Sequence, residues 1–245
     1  MPRLRPQVCS RTYCVWLLNF NMKISRQKFD DLRNEGRLAL TLVGMSNIGK
    51  TAWSRKLAKN NDFKHICCDD LIEAKIKPKL NRLGYSGIHD MAKWLGQPYD
   101  ERFLVNQQRY LDLETLVMNE ILNDVDVFGQ NAVIDTTGSV IYTGDEICSN
   151  LKNGSLVVYI EATPDMKEAM FKHFMANPKP IVWGDSFVRN VGETNMDALA
   201  GSYPKLLDYR SQLYEKYADI VIPYFDLDVY RKSVDDFFDT IKSYL

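Results

Sequence analysis

The stretch that decides the fold is Gly44-Met45-Ser46-Asn47-Ile48-Gly49-Lys50-Thr51, which fits the pattern G-x-x-x-x-G-K-[ST] at every defined position. A continuous apolar run, residues 38–43, leads into it, and a stretch of helical character, residues 50–60, leads out. The apolar run predicts a strand buried on both faces. A strand, a glycine-rich turn and a helix in this order predict a loop whose main-chain N–H groups surround phosphate groups.

The last two residues of the motif predict how a nucleotide binds. Lys50 supplies a positive charge to the β- and γ-phosphates, and the Thr51 hydroxyl is a ligand for Mg²⁺. All eight residues are therefore predicted to bind ATP, with Mg²⁺ as the accompanying metal ion.

Outside the motif, strand-like and helix-like stretches alternate. Strands are predicted at residues 38–43, 64–68, 131–134, 156–160 and 220–222, and helical spacing of apolar residues is found at 50–60 and about 100–124, after Thr163, and at the C-terminus. Alternation of this kind predicts a three-layer α/β/α sandwich of the P-loop NTPase type, with a mostly parallel five-stranded sheet.

The chain is predicted to hold one domain, residues 37–245, after a basic N-terminal extension, residues 1–36. Residues 1–29 contain no Asp or Glu. This fits a targeting segment, a disordered extension, a translation-start artefact with Met22 as the true start, or a packed segment of the fold. Residues 176–201 contain two prolines, three glycines and little periodicity. A long irregular segment of this kind predicts a lid.

Composition and charge exclude several classes of protein. The 245 residues include 31 Lys+Arg and 32 Asp+Glu, for a net charge of −1, which argues against a basic nucleic-acid binder. No apolar run reaches the length of about 18 residues needed to span a membrane. The five cysteines follow no disulfide or metal-ligand pattern, which favours a reduced, cytoplasmic protein.

Carboxylates follow two of the predicted strands. Asp135 ends the third strand, and Asp69 and Asp70 follow the second. Because ligands bind beyond the carboxyl ends of parallel strands, these side chains are expected near the phosphate loop. Asp135 is predicted to hold Mg²⁺ together with Thr51, whereas Asp70 also fits the cap of the next helix. His65 has no ligand partner at useful spacing and is expected to be structural.

Four further segments resemble shikimate kinases, from about Leu38 to the C-terminus. Cys67-Cys68-Asp69-Asp70-Leu71-Ile72-Glu73 resembles the family's D-[ST]-D-x-x-I-E, and residues 133–140 resemble the segment around its G-G-G turn, with Gly138 retained. Lys179-Pro180-Ile181-Val182 resembles the lid segment R-P-L-L. Residues 210–219, which begin with Arg210, resemble R-x-P-L-Y-x-E-x-A-D.

The resemblance implies roles for the matching residues. Asp69 would contact the acceptor hydroxyl and take its proton. Lys179 would occupy the place of the lid arginine, and with Asp69 and Lys50 it is one of three predicted catalytic residues. Gly138 would lie against the acceptor, and Arg210 would bind its carboxylate.

Three departures from the family pattern concern the acceptor side. Cys67 stands where the family has the aspartate associated with Mg²⁺, and thiols are poor Mg²⁺ ligands. Thr137 and Ser139 replace two glycines of the turn, and Leu111 stands at the place of a second substrate arginine.

The function predicted from these features is that of an ATP-dependent phosphotransferase, a shikimate-kinase-like small-molecule kinase. It would phosphorylate a hydroxyl of a small, anionic acceptor, with no nucleic-acid or membrane partner. A nucleotide or nucleoside kinase and a non-catalytic ATP-binding regulator are the alternatives.

Overall fold

The computed structural model describes residues 24–60, 63–85 and 88–245. The strands are β1 (Ala39–Val43), β2 (Lys64–Cys67), β3 (Ala132–Asp135), β4 (Leu156–Glu161) and β5 (Ile220–Pro223). The helices are α1 (Arg26–Asn34), α2 (Lys50–Asn60), α3 (Cys68–Arg82), α4 (Ile88–Leu95), α5 (Phe103–Asn123), α6 (Val125–Phe128), α7 (Asp145–Gly154), α8 (Pro164–Ala176), α9 (Asn195–Tyr217) and α10 (Val234–Tyr244). Short 3₁₀ turns occupy Val140–Tyr142 and Tyr224–Leu227.

The five strands form one parallel sheet in the order β2-β3-β1-β4-β5. Every residue of β1 is buried, as expected for a central strand covered on both faces. Helices α2 and α10 contact each other and the sheet, and α5, α7 and α9 form a second connected group that also reaches the sheet. The predicted three-layer architecture and the five strands are confirmed.

The apolar core continues through α1, which belongs to the predicted N-terminal extension. Phe29 and Leu32 are buried, and the Phe29 ring lies 6.1 Å from that of Phe238 in α10. Residues 26–34 are therefore a packed helix of the domain. Residues 1–23, on which the targeting, disorder and start-site interpretations depend, lie outside the described residues.

The helical spacing of α5 rests on Leu113, Leu116, Val117 and Ile121, of which only Val117 and Ile121 are buried. Leu116 is exposed and Leu113 is half-buried, whereas Tyr110, Glu114 and Val117 point into the protein. Spacing alone does not fix which stripe of a mostly apolar helix faces the core, because several stripes satisfy the same period. A carboxylate consequently enters the core.

The lid candidate, residues 176–201, is shorter than predicted. Thr194 caps α9 through a capping box with Asp197, so residues 195–201 are helical. The irregular part covers residues 177–194, between α8 and α9. It is anchored at Trp183, which is fully buried and whose main-chain N–H donates to Gln107 Oε1 at 2.7 Å.

No helix in the three described ranges is both long and apolar enough to cross a lipid bilayer. The cytoplasmic location expected from the sequence stays a prediction.

Candidate functional site

The loop between β1 and α2 has the curved backbone that its sequence predicts. Gly44 and Gly49 have positive φ values of 144° and 97°, and Asn47 between them has a φ of 63°. A Cβ atom at Gly44 would lie 2.7 Å from the main-chain oxygen of Ile160 in β4. The position therefore accepts only glycine, for both its dihedral angle and its close contact.

Lys50 is buried at the centre of this loop. Its ammonium group donates to the main-chain oxygens of Gly44 and Met45, at 2.9 Å each. Burial lowers the pKa of Lys50 to about 8, an effect that the charges of Asp135 and Asp69 oppose. The loop thus holds a cation against its own carbonyls, within reach of a phosphate group in the curve of the chain.

The turn at Gly138 lies close both to this loop and to helix α9. A Cβ atom at Gly138 would lie 3.1 Å from Ser46 Oγ and 3.2 Å from Arg210 Nη1. The Gly138 main-chain oxygen accepts a hydrogen bond from the Tyr214 hydroxyl. The phosphate loop, the turn after β3 and α9 therefore meet at one point.

Arg210 is a buried cation rather than a surface arginine, since only 6% of the residue is exposed. Its Nη2 donates to the main-chain oxygen of Val182 at 2.6 Å, and the guanidinium lies 5.6 Å from the centroid of the Tyr142 ring. Its Nε has no hydrogen-bond partner in the described part of the chain. Within the described residues no carboxylate lies within 4.0 Å of it, so the charge lacks a compensating anion.

Asp69 lies in the first turn of α3, at the end of β2. The residue reaches solvent, but partial desolvation by the surrounding protein raises the pKa of its carboxyl group. The Asp135 charge raises this pKa further, and Lys50 lowers it. Asp69 and Lys50 thus belong to one electrostatic group.

Asp135 and Thr51, the residues predicted to hold Mg²⁺, carry a carboxylate and a hydroxyl group. Asp135 is 2% exposed and pairs in β3 with Leu42 of β1, beside the strand that leads into the phosphate loop. Among the described side chains only His65 lies within ion-pair distance of its carboxylate. A buried carboxylate without a lysine or arginine partner fits a bound cation, and a carboxylate and a hydroxyl fit Mg²⁺.

Lys179 is the predicted site residue that this arrangement does not include. It is exposed in the irregular segment, and no described hydrogen bond or ion pair connects it to the other site residues. Its contribution requires a movement of the segment that carries it.

Glu114 is a residue of this region that sequence reasoning missed. It is completely buried and accepts hydrogen bonds from Thr137 Oγ1 and, at 2.7 Å, from Ser139 Oγ. Burial raises its pKa to about 7, whereas these two hydrogen bonds lower it. The two hydroxyl residues that replace glycines therefore act as partners of a buried carboxyl group. The signal in the sequence is a glutamate on the same helix face as Tyr110 and Val117.

His65 also has a partner that the sequence spacing does not show. Its Nε2 lies 3.3 Å from Asp135 Oδ2, and Cys67 Sγ lies within 4.8 Å of both side chains. The prediction that the cysteines form no metal-ligand pattern considered only neighbours along the chain. The cross-strand pairing of Cys67 with Asp135 adds a neighbour 68 residues away.

No family model matches the chain. Two curated relatives do, the pentafunctional AROM polypeptides 1 and 2 of Lodderomyces elongisporus, each 29% identical over 160 residues. The match covers 62% of this chain and 9% of each relative, so the chain spans less than a tenth of their length.

Similar solved structures include shikimate kinases. That of Bacteroides thetaiotaomicron is 15% identical with a TM-score of 0.49, covering 84% of this chain and 95% of that one. That of Acinetobacter baumannii, in complex with shikimate, is 23% identical with a TM-score of 0.47, covering 77% and 84%. The chain resembles shikimate kinases, as its motifs predict.

Proposed function

We propose that the protein is an ATP-dependent kinase that phosphorylates a hydroxyl group of a small anionic molecule. The observation that carries the proposal is the buried guanidinium of Arg210, which lies beside Gly138 and has no carboxylate partner among residues 24–60, 63–85 and 88–245. Burying a cation without an anion costs several kcal/mol, roughly, unless a ligand supplies the missing charge. An anionic acceptor bound there lies next to the phosphate loop.

The residues of the phosphate loop bind and orient the nucleotide in this proposal. Main-chain N–H groups of residues 44–51 and the Lys50 ammonium hold the phosphates. Thr51 and Asp135 would hold Mg²⁺, which when bound neutralises phosphate charge. Lys179 reaches the transferring phosphoryl group when residues 177–194 close over the site.

Asp69 orients the acceptor hydroxyl and takes its proton. The hydroxyl oxygen forms a bond to the γ-phosphorus, the bond from that phosphorus to the β–γ bridging oxygen breaks, and ADP leaves with the electron pair. The raised pKa of Asp69 brings the carboxylate closer to the basicity that a proton acceptor needs. Most of the rate acceleration comes from positioning and charge neutralisation.

The test is ADP release by the full-length chain with MgATP and a panel of acceptors. The panel contains hydroxy acids, shikimate among them, and nucleosides with their monophosphates. We expect release that depends on a hydroxy acid. Asp69→Asn should abolish turnover and retain nucleotide binding by calorimetry, and Asp70→Asn, its exposed neighbour, serves as the matched control.

The other outcomes contradict the proposal in distinguishable ways. Release that depends on nucleosides or nucleotides indicates a nucleotide or nucleoside kinase. Nucleotide binding without release for any acceptor indicates a regulator. Absence of binding heat for MgATP in folded protein would refute the nucleotide site itself.

A further inference from the structure

Three side chains with metal-binding atoms share one face of the sheet at its β2 edge. His65 and Cys67 are two residues apart in β2, so they point to the same face. Asp135 in β3 is the register partner of Cys67, and directly paired residues of neighbouring strands also share a face. The register of two strands thus brings together a histidine, a cysteine and an aspartate.

The distances fit a common ligand ion. One ligand atom from each of the three side chains lies within 4.8 Å of the other two. His65 Nε2 and Asp135 Oδ2 are 3.3 Å apart. Two nitrogen or oxygen ligands of a tetrahedral zinc ion, at bond lengths of about 2.0–2.1 Å, are separated by about 3.3–3.4 Å.

We propose that His65 Nε2, Cys67 Sγ and the Asp135 carboxylate form a binding site for a divalent cation of the zinc class. Imidazole, thiolate and carboxylate are the ligands that zinc accepts in proteins. A thiolate ligand favours zinc over Mg²⁺, which requires oxygen ligands. Three protein ligands leave the fourth tetrahedral position for water.

This site shares Asp135 with the predicted magnesium position and lies on the opposite side of that residue. Strand β3 lies between β2 and β1, so Asp135 has the phosphate loop on its β1 side and the His65–Cys67 pair on its β2 side. His65 and Cys67 are half-buried, which gives a cation access from solvent. His65 and Cys67 have no role in the proposed kinase reaction, but Asp135 is also its proposed Mg²⁺ ligand. The cation site is therefore tested without nucleotide and through variants of His65 and Cys67, whose failure to affect Zn²⁺ binding leaves the kinase proposal untouched.

The test is calorimetric titration of the chelator-treated, full-length chain with Zn²⁺ and, separately, with Mg²⁺, in the absence of nucleotide. We expect one Zn²⁺ ion per chain at this site and no Mg²⁺ binding of comparable affinity. His65→Gln and Cys67→Ser should each weaken Zn²⁺ binding by at least about tenfold, since even outer-shell partners of a metal alter affinity by about 10–100-fold. Cys148→Ser, at a buried cysteine of α7, is the matched control and should bind Zn²⁺ as the wild type does.

Cobalt substitution tests the thiolate ligand without a change at the site. The variant Cys9→Ser/Cys14→Ser removes the two cysteines of residues 1–23 and keeps Cys67. Loaded with Co²⁺, this variant should show sulfur-to-cobalt charge-transfer absorption, and adding Cys67→Ser should remove it. Melting temperatures measured without metal establish that each variant is folded.

Two results would overturn the proposal. One is a folded Cys9→Ser/Cys14→Ser chain that binds no Zn²⁺ or shows no charge-transfer band with Co²⁺. The other is Zn²⁺ affinity in His65→Gln and Cys67→Ser equal to that of the wild type, because the ion would then bind elsewhere.

Discussion

The phosphate loop and the acceptor side of the site are built in opposite ways. The loop is one uninterrupted stretch, residues 44–51, and its shape depends on main-chain dihedral angles at two glycines. The acceptor side is assembled from Glu114 in α5, the turn at residues 137–139 and Arg210 in α9. Where the backbone forms the site, a short motif specifies it. Where side chains from distant elements form the site, single substitutions can alter it one residue at a time.

The two regions also differ in how their buried charges are held. Lys50 is the only buried cation of the phosphate loop, and main-chain oxygens hold it. The acceptor side contains a buried cation, Arg210, and a buried carboxyl group, Glu114, that are not within 4.0 Å of each other. Hydroxyl groups of Thr137 and Ser139 solvate Glu114 instead. In the proposed function a phosphate completes the first region, and an anion bound at Arg210 balances the charge of the second.

The largest effect is expected from removing the lysine of the loop. Lys50→Ala should lower kcat/KM for MgATP by about 10²–10³-fold, the usual effect of losing one group that stabilises transition-state charge. Steady-state ADP release measures it, and calorimetry measures the weaker binding. Lys59→Ala, at an exposed lysine of the same helix, is the control. Equal rates in Lys50→Ala and wild type would contradict the role of the loop.

Much of the fold follows from the sequence because its signals are local. The strand predicted at residues 156–160 is β4 with one residue added, and the helix predicted at residues 50–60 is α2 without change. Each depends on an apolar run or on a loop motif within a few residues. The resemblance to shikimate kinases, not a local pattern, groups Gly138 and Arg210 as residues of one site, and that role stays a prediction.

The remaining features depend on pairing across the fold. Glu114 becomes a buried carboxyl group only because α5 turns that face toward residues 137 and 139. His65 and Asp135 meet because β2 and β3 pair in a particular register. The packing of α1 depends on Phe238, more than 200 residues later. These contacts join residues that are far apart in the chain, so no pattern within one stretch of sequence predicts them.

The second-largest effect should appear in stability on the acceptor side. The Glu114 carboxyl has a pKa of 4.5 as a free group and about 7 in the folded protein, so folding favours its protonated form. Between pH 4.5 and 7 the unfolded chain has lost this proton and the folded chain retains it. The free energy of unfolding should therefore fall by about 3 kcal/mol as the pH rises across this range.

Glu114→Gln should remove this pH-dependent fall in the free energy of unfolding, which denaturant titrations at pH 5 and pH 7 measure. Glu120→Gln, at an exposed position of the same helix, should keep the wild-type dependence. An unchanged slope in Glu114→Gln would mean that Glu114 is already ionised at pH 5.

A smaller and more selective effect is expected at Arg210. Arg210→Leu should raise the KM of the acceptor by about 30-fold or more, since truncating one partner of a buried charge pair costs about 2–5 kcal/mol. The KM of MgATP should change much less. Arg109→Leu, at an exposed arginine of α5, is the control. Because Arg210 Nη1 and Ser46 Oγ both lie next to Gly138, equal losses for both substrates would reassign Arg210 from the acceptor to the transferring phosphate.

The smallest expected effect is a fall in activity at alkaline pH that depends on Lys50 of the loop and not on Glu114. Lys50 has a pKa of about 8 in the free protein, and its charge, on which phosphate binding depends, is lost above that value. The value of kcat/KM for MgATP, which reports the free enzyme, should fall about tenfold per pH unit above pH 8. Bound phosphates favour the charged amine, so kcat should decline only at higher pH. Glu114→Gln should leave this alkaline limb unchanged because Glu114 has already lost its proton there. A profile of kcat/KM that stays flat to pH 9.5 would contradict this prediction. It would show that Lys50 keeps its proton because its hydrogen bonds to Gly44 and Met45 outweigh the effect of burial on its pKa.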